Sequence, residues 1–240
     1  MTAPPNEAEQ RYLNELLAAM RGPCEAAFPT VSLIVTPDFA REFQATLLTH
    51  HYFLKAPLAT SSFDAAFVRA ARAAGHNVTP APDGQRFWDI KLDGRRISLK
   101  STAAANLKSG FLHISKLCEA AWIQDMRNAS AREHETKRLF ADYASVVDSI
   151  IQLRLFKTQA FYELVEIPVE LLKQVADVPR AEFAPDGPTI GIPVGHDPPD
   201  FTLKLDRSDA KITLANINKQ VCSVLGTWQL ADGVEITGDD

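Results

Sequence analysis

Little in this chain points to cross-linking by disulfides or metals. Only three of its 240 residues are cysteine: Cys24, Cys118 and Cys222. They are widely separated, odd in number and without C-x-x-C spacing, which argues against a disulfide framework and a zinc knuckle. The six histidines include no H-E-x-x-H pattern, so the helical zinc-hydrolase signature is absent. Long apolar runs are missing too: none approaches the ~20 residues that a membrane-spanning helix requires. The opening Met1-Thr2-Ala3-Pro4-Pro5 has no basic-then-apolar secretory pattern, so the cytoplasm is the expected location and no membrane contact is expected. Positive charge is in deficit, with 25 Lys and Arg against 30 Asp and Glu and a net charge of −5. That argues against binding a polyanion by overall attraction, but it leaves room for basic groups gathered in one cleft.

What the chain does have is apolar material in periodic segments. Its 46% hydrophobic content suffices for the core of one domain of this length. Residues 6–22 carry Tyr12, Leu13, Leu16, Leu17 and Met20 at helical spacing and stop at Gly22-Pro23. Further helices are expected over residues 38–51 and 61–74, the latter closed by Gly75. Residues 115–127 read as a helix with Ser115 at its N-cap, and 130–148 as the longest helix, opened by a capping box of Ser130 and Glu133.

Strands are expected at residues 111–114, 151–155, 161–167 and 221–230, with a hairpin over 201–214 about Asp206-Arg207-Ser208-Asp209. Six of the fifteen prolines fall between 179 and 200, marking that stretch as a long irregular arm. This order of helices and strands gives an α/β fold, with α+β the alternative, built on a central mixed β-sheet flanked by helices. A single domain over 1–240 is expected: a helical part at 1–60, a core at 61–178, and the arm with C-terminal strands at 179–240.

Residues 87–100, Phe-Trp-Asp-Ile-Lys-Leu-Asp-Gly-Arg-Arg-Ile-Ser-Leu-Lys, carry the most information. Asp93-Gly94 between two alternating runs is a strong signal for a two-residue hairpin loop whose central residues need positive φ. Counting back from that turn pairs Leu92 with Arg95, Ile90 with Ile97, Asp89 with Ser98 and Phe87 with Lys100. Asp89, Ser98 and Lys100 then share one face, expected to look toward solvent or a cleft. Trp88, Ile90, Leu92, Ile97 and Leu99 take the core face.

An aspartate on one strand followed by a strand ending in acid-x-Lys resembles the PD-(D/E)xK nuclease superfamily, which includes most type II restriction endonucleases. The resemblance runs from Asp89 to Lys100 and extends loosely upstream to the Asp64 helix, similar to the acid-bearing helix that precedes the catalytic strands in such nucleases. Two departures are plain: no proline precedes Asp89, and Ser98 occupies the position of the second acid. Some restriction enzymes of the superfamily have a small residue there and take the carboxylate from a following helix, a role for which this chain offers Glu119.

The resemblance implies a restriction-endonuclease-like core and a Mg²⁺-dependent, site-specific cleavage of double-stranded DNA. Asp89 would be the central metal ligand, Glu119 or Asp64 the second carboxylate, and the Leu99 carbonyl a further ligand. Lys100 would orient the attacking water and offset phosphate charge. A homodimer is expected because a palindromic site presents two equivalent strands. Arg207, Lys211, Asn216 and Asn218 are candidates for reading DNA, and Arg95 and Arg96 for touching phosphates. The alternative is a noncatalytic DNA-binding or interaction module of the same fold that has lost its second acid at Ser98.

Overall fold

One parallel strand pair organises the chain. In the computed structural model, which describes residues 4–238, β4 (Arg95–Thr102) lies parallel to β6 (Ser149–Phe156), with Ile97 opposite Ser149 and Lys100 opposite Gln152. Parallel neighbours cannot be joined by a tight turn, and α4 (Ala129–Val146) forms the crossover between them. Around this pair β1 (Cys24–Ala27), β2 (Val78–Pro80), β3 (Ile90–Leu92), β7 (Phe161–Pro168) and β11 (Ser223–Leu230) complete a mixed seven-stranded sheet of order β1-β11-β7-β6-β4-β3-β2. A second, antiparallel sheet of order β5-β10-β9-β8 is built from β5 (Phe111–Glu119), β8 (Thr189–Val194), β9 (Phe201–Asp206) and β10 (Lys211–Asn218). The α/β architecture with a central mixed sheet is as the sequence implied; the second sheet was not foreseen.

Both faces of the large sheet are covered. Helices α1 (Glu7–Met20), α2 (Pro37–Phe53) and α3 (Thr60–Ala73) come before all of its strands except β1, which lies between α1 and α2. Phe39 and Phe43 from α2 and Phe63 and Phe67 from α3 pack with Trp228, Leu153 and Leu155 in one core. Burying each such ring contributes about 1.5–3 kcal/mol. On the opposite face Tyr143 of α4, Leu172 of the short α5 (Glu170–Lys173) and Leu203 of the second sheet pack on Ile150, Val165 and Ile167 in another core. Strand β6 is therefore apolar on both faces except at Ser149, Gln152 and Arg154, all buried. Among the described residues no helix is long and apolar enough to cross a membrane.

Three sequence expectations require correction. Residues 115–119 are not helical: they belong to β5, followed by a short 3₁₀ turn at Ala121–Gln124. The register of β5 on β10 slips between the Ile212–Cys118 and Leu214–Ile114 pairs. This bulge puts buried Ile114, Leu117 and Ala120 three apart, the spacing of a helix rather than of a strand.

The proline-rich stretch 179–200 is not wholly irregular, since it contains β8. That strand pairs with β9 alone, and an edge strand tolerates the missing N–H of Pro193. The long helix begins two residues earlier than its apparent capping box: Asn128 is the N-cap, its side chain accepting from the Ala131 amide at 2.8 Å. Helices α1, α2 and α3, the hairpin β9–β10 and strands β6, β7 and β11 fall where the sequence implied.

Candidate active site

Asp93 and Gly94 adopt φ values of 48° and 90°, the left-handed values that a type I′ turn needs at both central positions. Asp93 is pinned from outside, accepting from the Asn77 amide at 2.8 Å and contacting His76 Nδ1 at 2.7 Å. The expected register follows, with Leu92 facing Arg95 and Ile90 facing Ile97. The Asp89 amide donates to the Ile97 carbonyl at 2.9 Å, and there the pairing ends. Phe87 has φ of 78° and the chain turns away, so the expected Phe87–Lys100 pair does not form.

That early departure leaves the next amide on β4 without a backbone partner on this side, and the Asp89 side chain takes it. Leu99 N–H donates to Asp89 Oδ2 at 2.7 Å and Ser98 Oγ donates to the same oxygen at 3.3 Å. Lys100 Nζ lies 3.9 Å from it. Oδ2 is thus committed to β4, while Oδ1 has no hydrogen bond among the described residues. In a strand the N–H and C=O of one residue point the same way, so the Leu99 carbonyl shares this edge. Ser98 itself is fully buried, on the side of the sheet that carries Tyr143. The side of the hairpin expected to look toward solvent or a cleft is covered at Ser98, while the Asp89 and Lys100 side chains remain 41% and 22% exposed.

Asp64 approaches from α3, whose start is tied to the end of β4 by the Thr60 amide donating to Ser101 Oγ at 2.8 Å. Burial pushes the Asp64 carboxyl up to about 6; the neighbouring Asp89 charge acts in the same direction and Lys100 against it. Asp64 is therefore within electrostatic reach of both hairpin residues. With Leu99, Lys100, Ser101, Ser115 and Gln152 it lines a cavity of about 260 Å³. A second hollow of about 220 Å³ is lined by Asp89, Lys100, Arg86 and Glu119, and Lys100 lines both.

Two carboxylates and a backbone carbonyl form an all-oxygen set, which suits a hard divalent cation that keeps several of its waters. Among the described residues no group of three or more His, Cys, Asp and Glu is placed to hold a metal ion.

Glu119 does not sit on an apolar helical strip beside Trp122, Ile123 and Met126. It ends β5 with its side chain 78% exposed and ion-paired to Lys116 at 2.7 Å, and this pairing, chiefly the Lys116 hydrogen bond, holds its carboxyl below the usual range.

The residues considered for DNA contact are dispersed. Arg95 pairs with Glu166 at 2.7 Å and Arg96 makes a fork to Asp148 at 2.9 and 2.8 Å, both at the end of β4 opposite Lys100. Arg207 is paired with Asp186 and donates to the Met126 carbonyl at 3.1 Å, and Lys211 is paired with Asp209. Asn216 and Asn218 lie at the far end of β10 from these two. Asn216 has φ of 52°, and Asn218 accepts from the Gln220 amide at 3.0 Å.

Sequence reasoning passed over Gln152, which lines the same cavity as Lys100 and Asp64. Its signal was a polar residue inside the apolar run Ile150-Ile151-Gln152-Leu153.

An acid-bearing mixed sheet with a lysine over a cleft is equipment for phosphodiester hydrolysis, and comparison with known proteins gives the class as type II restriction endonuclease. The SmaI family model, a type II site-specific deoxyribonuclease, matches residues 12–230, and the chain belongs to that family. It is 26% identical over 208 residues, 81% of its own length and 81% of the relative's, to the type II restriction enzyme SmaI of Serratia marcescens. No solved structure matches. The protein is thus a site-specific endonuclease acting on DNA, which sets aside the noncatalytic alternative, and enzymes of this class generally require a divalent metal.

Proposed function

We propose that the cleft between α3 and the β3–β4 hairpin is the centre where the phosphodiester bond is hydrolysed, on the PD-(D/E)xK plan with Ser98 in place of the second strand acid. Asp89, the Leu99 carbonyl and Asp64 hold the cation, which we take to be Mg²⁺. The observation that carries this reading is the junction at Asp89. One oxygen is fixed by the Leu99 amide at 2.7 Å and the other has no hydrogen bond among the described residues, while a half-buried Asp64 feels the Asp89 charge. Two carboxylates held this close repel each other until a cation lies between them. Such an ion, when bound, lowers the pKa of a water and neutralises charge on the scissile phosphate.

The chain's own residues do the rest. Asp89 is immobilised by β4 and so presents Oδ1 in a fixed direction, and the Lys100 ammonium offsets phosphate charge and orients the attacking water. Asp64, from α3, takes the second-carboxylate role in preference to Glu119, whose charge is engaged by Lys116 in solvent. The substrate is double-stranded DNA carrying a palindromic site, cut in the cytoplasm by a homodimer whose protomers each form one domain over 1–240.

The exposed apolar residues Tyr12, Leu13, Leu17 and Met20 of α1, continued by Tyr52, Phe53 and Leu54, supply a surface of the kind a second copy covers. Metal-dependent cleavage of plasmid DNA by Asp89→Ala, Lys100→Ala and Asp64→Asn proteins tests the site. The reading requires all three to lose activity while retaining the wild-type melting profile to within a few degrees.

A further inference from the structure

Gln152 lies in the middle of β6, 1% exposed, directly opposite Lys100 in the parallel register. Its Nε2 donates to the His113 carbonyl at 2.7 Å. That bond fixes which end of the amide is which, since a flipped amide would set oxygen against oxygen. The other end, Oε1, is buried without any hydrogen-bond partner among the described residues. An amide oxygen left so bears its desolvation penalty uncompensated, and it is seldom retained without a use.

The surroundings name the donor. Residues opposite one another on adjacent strands project from the same face, and Gln152 and Lys100 line the same cavity. Lys100 Nζ stands 3.9 Å from Asp89, beyond hydrogen-bond distance, so its N–H groups are not engaged there. Asp89 also has a competing commitment, because an oxygen that ligates a cation is a poor acceptor for an ammonium.

We infer that Gln152 is a positioning residue: with DNA and a cation in the site, its Oε1, unpartnered in this structure, accepts a hydrogen bond from the Lys100 ammonium and sets where that charge meets the scissile phosphate. The inference rests on the reading of Asp89 and Lys100 as the catalytic pair. It assigns Gln152 two separable bonds, a structural one through Nε2 to β5 and a functional one through Oε1 to Lys100.

Two variants separate those bonds. Gln152→Met removes both, whereas Gln152→Glu removes the donor to His113 and keeps an acceptor facing Lys100. Both variants lose the β5 contact and both should melt somewhat earlier than wild type. Single-turnover cleavage should fall by about tenfold to a hundredfold in Gln152→Met, the scale of misplacing a reacting group, with the DNA dissociation constant in Ca²⁺ unchanged within about twofold. It should remain within about threefold of wild type in Gln152→Glu. Equal losses in the two variants, or wild-type cleavage by Gln152→Met, overturn the inference.

Should either variant fail to fold, a crystal structure of the wild-type enzyme with duplex DNA and Ca²⁺ decides. Nζ within hydrogen-bond distance of Oε1 supports the assignment, and a longer separation overturns it. Lys100→Ala and Asp89→Ala, assayed alongside, keep the two questions apart. If they cleave normally, the reading of the site is wrong; if they are inactive while Gln152→Met is normal, only the role of Gln152 is wrong.

Discussion

Asp89 accepts the backbone amide of Leu99 at 2.7 Å across the point where strand pairing has just ceased, so the β3–β4 hairpin is closed by a side chain where a backbone bond would otherwise lie. The carboxylate is aimed by secondary structure itself. Asp89→Asn therefore tests more than charge, because the amide group can turn its NH₂ toward Leu99 and lose the bond. Cleavage is expected to fall at least about a thousandfold, the scale seen when one preorganised charge is removed from an active site, as measured by single-turnover digestion at saturating Mg²⁺.

Asp64 gives the cleft a pH dependence. Its carboxyl is raised to about 6, first by burial and then by Asp89, so it keeps its proton in the folded state over a range where the unfolded chain has released it. A raised acid pKa means that folding loses stability as pH rises from the ordinary carboxylate range through about 6. Asp64→Asn should accordingly raise the melting temperature at pH 7.5. The gain is on the order of 1 kcal/mol after allowance for solvent screening of a half-buried group, and it should vanish near pH 4. Cleavage by the wild-type enzyme should climb through pH 6 as Asp64 becomes able to ligate, in a pH–rate profile measured with excess Mg²⁺.

Ser98 cannot simply be returned to the acid that the superfamily pattern expects. It is fully buried beside Asp89, and the fully buried Tyr143 hydroxyl interacts with it on the same face. Ser98→Glu would force a larger, charged group into that space. Urea unfolding should show a loss of at least about 2 kcal/mol, with no gain in activity.

The buried pair of Arg154 and Glu163, 0% and 5% exposed, joins β6 to β7. Arg154 also donates to the Lys108 and Phe111 carbonyls at 2.6 and 3.0 Å, and Lys219 shares Glu163. Glu163→Leu leaves two cations without their anion and should cost about 3–5 kcal/mol in urea unfolding. The more conservative Glu163→Gln should cost less.

The hairpin was legible in the sequence because Asp93-Gly94 sets both the turn type and the register, and Asp89, Leu99 and Lys100 follow by counting. Glu119 was misplaced because a bulge in β5 spaces Ile114, Leu117 and Ala120 as a helix would. Asp64 was visible only as an acid near a helix start, and nothing local says that α3 crosses the end of β4, since that contact joins residues 41 positions apart. Gln152 needed the parallel register to become meaningful, and parallel pairing is the contact that local sequence encodes least.

On the proposed reading, Asp64 and Asp89, with Lys100, form the hydrolytic site, and Glu119, which lines the hollow beside Asp89 but is exposed and paired to Lys116, is not a ligand. Single-turnover cleavage of one mapped plasmid site by Asp64→Asn and Glu119→Gln enzymes, side by side at saturating Mg²⁺, tests this directly. The account predicts a loss of at least about a hundredfold for Asp64→Asn and a rate within about threefold of wild type for Glu119→Gln. Normal cleavage by Asp64→Asn together with an inactive Glu119→Gln would contradict it.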